Sequence, residues 1–304
     1  RSWILFTLSF SFLYGIALID FYDFTILSGN LLSLHPIEYR QFLHSSPFTF
    51  VLGAALGRIG IAPSISYLLI CIGGFVALLF SMMSYLRHLA FREEVAAIIL
   101  STPLLLTLTF WVGKSDPYIL ALYLCALKIR FPAVQALCVT GMVFCHRDIA
   151  AVMLICHCLT RRSIDPWLIA GLILGELAVL YYHFALLPHP PASRMKFVIE
   201  NPDLLARNAI NPIAHLVMTF GWGWFFVARA LWEQEVRMRI FPPILVCFVV
   251  ALAALDYTRV FILCAFPVLL YVAETQAEAF RFARRGRLGM VTPAIFLIQF
   301  HLIY

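Results

Sequence analysis

Residues 64–85 read SISYLLICIGGFVALLFSMMSY, a run of 22 without a single Asp, Glu, Lys or Arg. As an α-helix this run is about 33 Å long, enough for the ~30 Å hydrocarbon core of a bilayer. It also lacks the polar stripe that a helix needs when one face meets water. The rest of the chain has the same character. Of 304 residues, 62% are apolar and 12% are charged, and the mean hydropathy is +0.91. Soluble domains carry roughly 25% charged residues, so this chain has about half the polar material needed to cover a water-facing surface. That excludes a soluble globular enzyme. The 15 Gly, 16 Pro and 27 Phe follow no short period, which excludes collagen-like and disordered chains as well. The class expected is all-α: one polytopic transmembrane helix bundle over residues 1–304.

Further full-length apolar runs cover 3–19, 95–112, 167–187, 213–231 and 240–255, and shorter ones cover 118–127, 133–144, 149–158, 260–272 and 290–304. With 64–85 these make about eleven membrane segments. The shortest rise only about 15–18 Å as helices, so they are expected to pack inside the bundle or beside a polar cavity. Arg1 precedes the first run, but no small-residue cleavage pattern follows, so 3–19 reads as a membrane helix rather than a secretory signal.

With the N-terminus on the cytoplasmic side, fourteen of the 22 Lys and Arg fall inside, among them Arg87, Arg92, Lys128, Arg130, Arg161 and Arg162, and eight fall outside. This is the bias of the positive-inside rule. The net charge of +6 is therefore a matter of orientation. No basic run with interleaved aromatics lies outside the apolar segments, so no nucleic-acid partner is expected. The eight Cys all lie in apolar stretches without a CxxC pair and read as small buried hydrophobes. His157, His183, His215 and His301 read as core or interface residues.

The outer side collects the unusual polar residues: Asp20 and Asp23, Gly113-Lys114-Ser115-Asp116-Pro117, His146-Arg147-Asp148, the segment 188–212, and Asp256-Tyr257-Thr258-Arg259. Most of these stand at junctions between apolar helices, where charge is costly and is usually paired or functional. Each has two readings. Asp20 and Asp23 either mark a helix end or, at i, i+3 on one face, suit a divalent cation (Mg or Mn) or one base with a supporting acid. Lys114 with Asp116, and Asp256 with Arg259, are either local ion pairs or places where the cations Lys114 and Arg259 serve an anionic substrate. His146-Arg147-Asp148 brings three titratable groups into an apolar run. Glu176, in the middle of its span, reads either as a helix–helix hydrogen-bonding group or as part of a substrate or proton path. The first outer loop, 20–63, mixes apolar patches with single charges, as short amphipathic helices on a leaflet do. The second, 188–212, is a lid or a connection.

The acids ending the first helix, a long amphipathic outer loop with Ser46-Pro47-Phe48, and the mixture of full and short helices resemble the GT-C superfamily of membrane glycosyltransferases. Gly113-Lys114-Ser115-Asp116-Pro117 and His146-Arg147-Asp148 resemble Gly-x-x-Asp-Pro and His-x-acid positions of bacterial members. The resemblance implies transfer of a sugar from a polyprenyl-phosphate carrier to a glycan, lipid or protein acceptor at the outer face of a bacterial cytoplasmic membrane. It makes Asp20 or Asp23 the catalytic base and a metal ligand, with Lys114, Asp116, His146, Arg147, Asp148, Asp256 and Arg259 around the donor phosphate. The sequence departs from the family pattern in separating its acids by Phe21 and Tyr22 and in lacking a soluble C-terminal domain. Three other readings stay open. A transporter or flippase would work through Glu176, a polysaccharide polymerase or ligase would rely on His146 and Arg147, and a non-catalytic membrane subunit would use the helix-end charges to bind a partner.

Overall fold

A computed structural model of the chain describes residues 21–29, 47–110, 114–186, 199–203, 206, 219–254 and 257–284, and every regular element among them is helical. Helices α1 (Phe21–Gly29) and α2 (Phe48–Arg58) lie in the segment 20–63, followed by the long apolar α3 (Pro63–Leu86). Next come α4 (Arg92–Leu100), α5 (Leu104–Phe110), α6 (Asp116–Lys128), α7 (Pro132–Cys145) and α8 (Arg147–Arg161). Helix α9 (Pro166–Tyr181) continues as a π-turn over Tyr182–Leu186 and is followed by α10 (Gly223–Trp232), α11 (Gln234–Leu252), α12 (Tyr257–Cys264) and α13 (Phe266–Arg284).

Proline decides where several of these begin. Pro63, Pro117, Pro132 and Pro166 stand in the first turns of α3, α6, α7 and α9. There the missing N–H is one the helix has no use for. Asp165 completes the start of α9 by accepting the Trp167 N–H at 2.9 Å.

Two described helices are long and apolar enough to cross a membrane, Pro63–Leu86 and Pro166–Ala185. A third qualifies if Tyr257–Cys264 and Phe266–Glu278, which meet at a 54° bend, count as one span. This corrects the expectation of about eleven segments. The run 95–112 is not one span but α4 and α5. Pro103 brings no N–H, and the hydroxyls of Ser101 and Thr102 turn back to the carbonyls of Ile98 and Ile99, each at 2.6 Å, which ends the first helix. The run 240–255 belongs to a helix that begins earlier, at Gln234, and carries Glu235, Arg237 and Arg239 in its first turns. Helices α6, α7 and α8 have 13, 14 and 15 residues, about 20 Å each, so none spans alone. The expected segments 3–19 and 290–304 lie outside the described residues.

The core is the bent α12–α13 pair with α8 against it. Phe261, Ile262, Leu263, Cys264, Ala265, Phe266, Val268, Leu269 and Leu270 are fully buried, as a helix apolar on every side must be. Around it, α3 exposes Ile65, Leu68, Leu69, Ile72, Val76 and Phe80, and α11 exposes Phe241, Leu245 and Val249. These are apolar faces at helical spacing, far larger than the scattered exposures of soluble proteins.

Helices α7 and α9 approach closely through glycine. A Cβ on Gly171 would meet the Ala136 carbonyl oxygen and lie 2.8 Å from the Val139 Cβ, and backbone cannot move aside as a side chain can. Gly171→Ala is therefore expected to lower stability by about 1–3 kcal/mol. Thermal unfolding in detergent measures this, and an unchanged melting temperature would refute the close α7–α9 spacing.

The polar residues separate by end. At one end Tyr85 Oη donates to Glu274 at 2.5 Å, Arg161 Nη2 donates to both Glu274 oxygens at 3.0 and 2.8 Å, and Lys128 reaches Ser84. Gln276 also meets Glu233 there, at 3.3 Å. This is the end where the sequence puts its inner cations. At the other end stand Asp116, His146, Arg147 and Arg259.

Candidate functional site

The site is built on helix ends. Asp116 opens α6, His146 joins α7 to α8, and Arg259 stands in the first turn of α12. Arg259 Nε donates to Asp116 Oδ2 at 2.5 Å and its Nη2 donates to Oδ1 at 2.8 Å. The side chains are 7% and 1% exposed. This fork-to-fork pair engages both carboxylate oxygens across 143 residues of sequence. Such a pair survives burial because each charge cancels the other's desolvation penalty through two aligned hydrogen bonds.

Beside it, Ser115 Oγ donates to the Cys145 carbonyl at 2.6 Å. That carbonyl belongs to the last turn of α7 and has no partner within its own helix. The bond fixes the α7–α8 tip against the start of α6. His146, extended and buried at this tip, accepts the Ile149 N–H on Nδ1 at 3.5 Å and so caps α8. Arg147 then projects to α9, where its Nε lies 2.5 Å from Glu176 Oε2. That pair is 38% and 26% exposed, so it is less buried than the Asp116–Arg259 pair. Asp148 is exposed, and Cys264 in the core lies within electrostatic reach of both Asp148 and Arg259.

The described helices of the segment 20–63 come to the same end. Phe21 and Phe24 of α1 set their edges against Tyr67, each with ring centroids 5.2 Å apart. Tyr118, one turn into α6, donates to the Ile70 carbonyl at 2.6 Å and lies 4.9 Å from the Phe48 ring. Phe48 of the Ser-Pro-Phe element thus rests beside the Asp-Pro helix start.

Of the nine expected site residues, Asp116, His146, Arg147, Asp148 and Arg259 gather here, with half-buried Lys114 two residues before Asp116. Asp20 and Asp256 lie outside the described residues, and Asp23 belongs to α1 as backbone only. The segment 188–212 lies almost wholly outside them too. A divalent cation was expected on Asp20 and Asp23. Among the described side chains, which do not include those two, no three His, Cys, Asp or Glu converge to hold one.

Sequence reasoning missed Ser115 as the residue that docks the tip and left the partner of Glu176 unnamed. It also missed Glu274, an acid in the run after residue 272 that joins Tyr85 and Arg161 at the opposite end. The Arg161 guanidinium lies 5.3 Å over the Tyr271 ring. His157 and His183 are buried as expected, and His157 Nδ1 meets Tyr123 Oη at 2.9 Å.

Among the described residues, fold and site together define an all-helical protein with two or three helices able to cross a membrane and a buried charge cluster where short helices end. No protein-family model, curated protein or solved structure matches the chain.

Proposed function

We propose that the chain is a multi-pass membrane glycosyltransferase of GT-C type, moving a sugar from a polyprenyl-phosphate donor to an acceptor at the outer face of the bacterial cytoplasmic membrane. One observation carries this reading. Asp116, His146, Arg147 and Arg259, from three separate stretches of sequence, meet at helix ends opposite Lys128 and Arg161, with α6 and α8 too short to span alone. A lipid-linked phosphate needs such a place, because its prenyl chain stays in hydrocarbon while its head group meets fixed polar groups.

In this reading the buried Asp116–Arg259 pair is scaffold, since its charges satisfy each other. Arg147, the less buried cation, serves the departing phosphate. Asp20 or Asp23 takes the acceptor's proton as the sugar–phosphate bond breaks. The test is transfer of labelled sugar from a polyprenyl-phosphate donor in reconstituted vesicles. Activity is expected in the wild type and its loss in Asp20→Asn/Asp23→Asn, and full activity in the double variant removes the base assignment.

A polysaccharide polymerase or ligase is the second reading, favoured by the Arg and His content of the cluster. It predicts that His146→Ala abolishes activity while the Asp20 and Asp23 variants are silent. The transporter reading works through Glu176, which Arg147 holds at 2.5 Å.

A further inference from the structure

At the end opposite the site, two helix turns stand side by side. Gly171 of α9 packs on Ala136 of α7, and both helices run away from this end, so one helical turn back Trp167 lies level with Pro132. The turn before Pro132 carries Lys128, Arg130 and Phe131, and the turn before Trp167 carries Arg162 and Ile164, all five exposed. Phe131 is 64% and Ile164 75% exposed. Arg130 and Arg162 have no ion-pair partner among the described residues. The nearest acid, Asp165, is committed to capping α9.

Arg162 carries a second signal. It is the C-cap of α8 at φ 51°, ψ 35°, the one non-glycine residue with positive φ among the described residues. Gly takes this position without steric cost and is the usual occupant. Helix capping accounts for the left-handed turn, while the exposed guanidinium stands where Gly is the usual occupant and packing does not require it.

From this juxtaposition of exposed cations and apolar anchors we infer that the 128–132 and 161–167 turns form a seat for an anionic phospholipid, its phosphate held by Lys128, Arg130 and Arg162. Phe131, Ile164 and Trp167 lie at head-group depth, and the acyl chains run along the exposed apolar residues Leu137, Ile173 and Leu174. The seat requires that the protein sit in a bilayer, but not the sugar chemistry proposed above.

The test is native mass spectrometry of protein taken from nanodiscs holding equal phosphatidylglycerol and phosphatidylcholine, with no transfer assay in the readout. A cation near a membrane surface is worth about a fivefold factor toward anionic lipid. Wild type is expected to retain phosphatidylglycerol in clear preference, and Lys128→Gln/Arg130→Gln/Arg162→Gly to fall to near parity. Arg87→Gln/Arg92→Gln, at the same end but outside the two turns, should keep the preference. Arg162→Gly alone should weaken it about fivefold while its melting temperature in lipid-free detergent stays level or rises. Undiminished preference in the triple variant, an equal loss in the Arg87/Arg92 control, retention of neither lipid, or a lower melting temperature for Arg162→Gly would each overturn the inference.

Discussion

Arg259→Ala is expected to destabilise the protein by about 3–5 kcal/mol, the cost of breaking a buried ion pair from one side. The substitution leaves Asp116, 1% exposed, with no charge to balance its carboxylate. It also removes two hydrogen bonds that tie the start of α12 to the start of α6. Water cannot reach the orphaned oxygens, and taking up a proton only limits the loss. Arg259→Lys should recover part of the stability, because an ammonium supplies charge without the planar fork. Asp116→Leu with Arg259→Met should recover most of it, since an apolar pair of similar volume leaves nothing unsatisfied. Thermal or denaturant unfolding in a fixed detergent measures the series. Wild-type stability in Arg259→Ala would show that the two groups do not meet in a dry interior, and the geometry of the whole site would then be in doubt.

What made the fold legible was charge position and proline. Lys128 and Arg161, expected inside, stand at helix ends opposite those of Arg147 and Arg259, expected outside. The Pro-led starts at Pro63, Pro117, Pro132 and Pro166 lie within a few residues of where the apolar runs suggested. Hydropathy failed where polar hydroxyls pass unnoticed in an apolar run. Ser101 and Thr102 scarcely lower a window average, yet their side chains compete for the carbonyls that a continuing helix would use.

The site was legible as a set of residues but not as a set of pairs. Asp116 was read beside Lys114 and Arg259 beside Asp256, because short spacing is the only proximity a sequence displays. The bond that organises the site joins residues 143 positions apart. Glu176 is the same case. Its depth within an apolar span made it conspicuous, but nothing local identified Arg147, on another helix, as its partner.

Arg147→Gln is expected to lower sugar-transfer kcat by about 10²–10³, the usual loss when a fixed donor to developing charge is removed. The partner variant separates this role from a structural one. In the resting protein Arg147 is held by Glu176 at 2.5 Å, partly open to solvent. A donor phosphate must therefore compete with that carboxylate for the guanidinium. Glu176→Gln removes the competing charge while keeping a side chain of the same shape, so KM for the donor should fall or hold and kcat should stay within about tenfold of wild type, short of the loss a missing donor causes. Arg147→Gln/Glu176→Gln should match Arg147→Gln alone, because without the cation the carboxylate has nothing to regulate. If Arg147 serves only to anchor α8 on α9, the two single variants should instead lose activity and stability in parallel, since either one breaks the same contact. A transporter predicts a third pattern, with uptake abolished in Glu176→Gln and no sugar transfer in any variant. Steady-state kinetics with the melting temperature of each variant distinguishes the three, and a Glu176→Gln enzyme as inactive as Arg147→Gln would remove Arg147 from the chemistry.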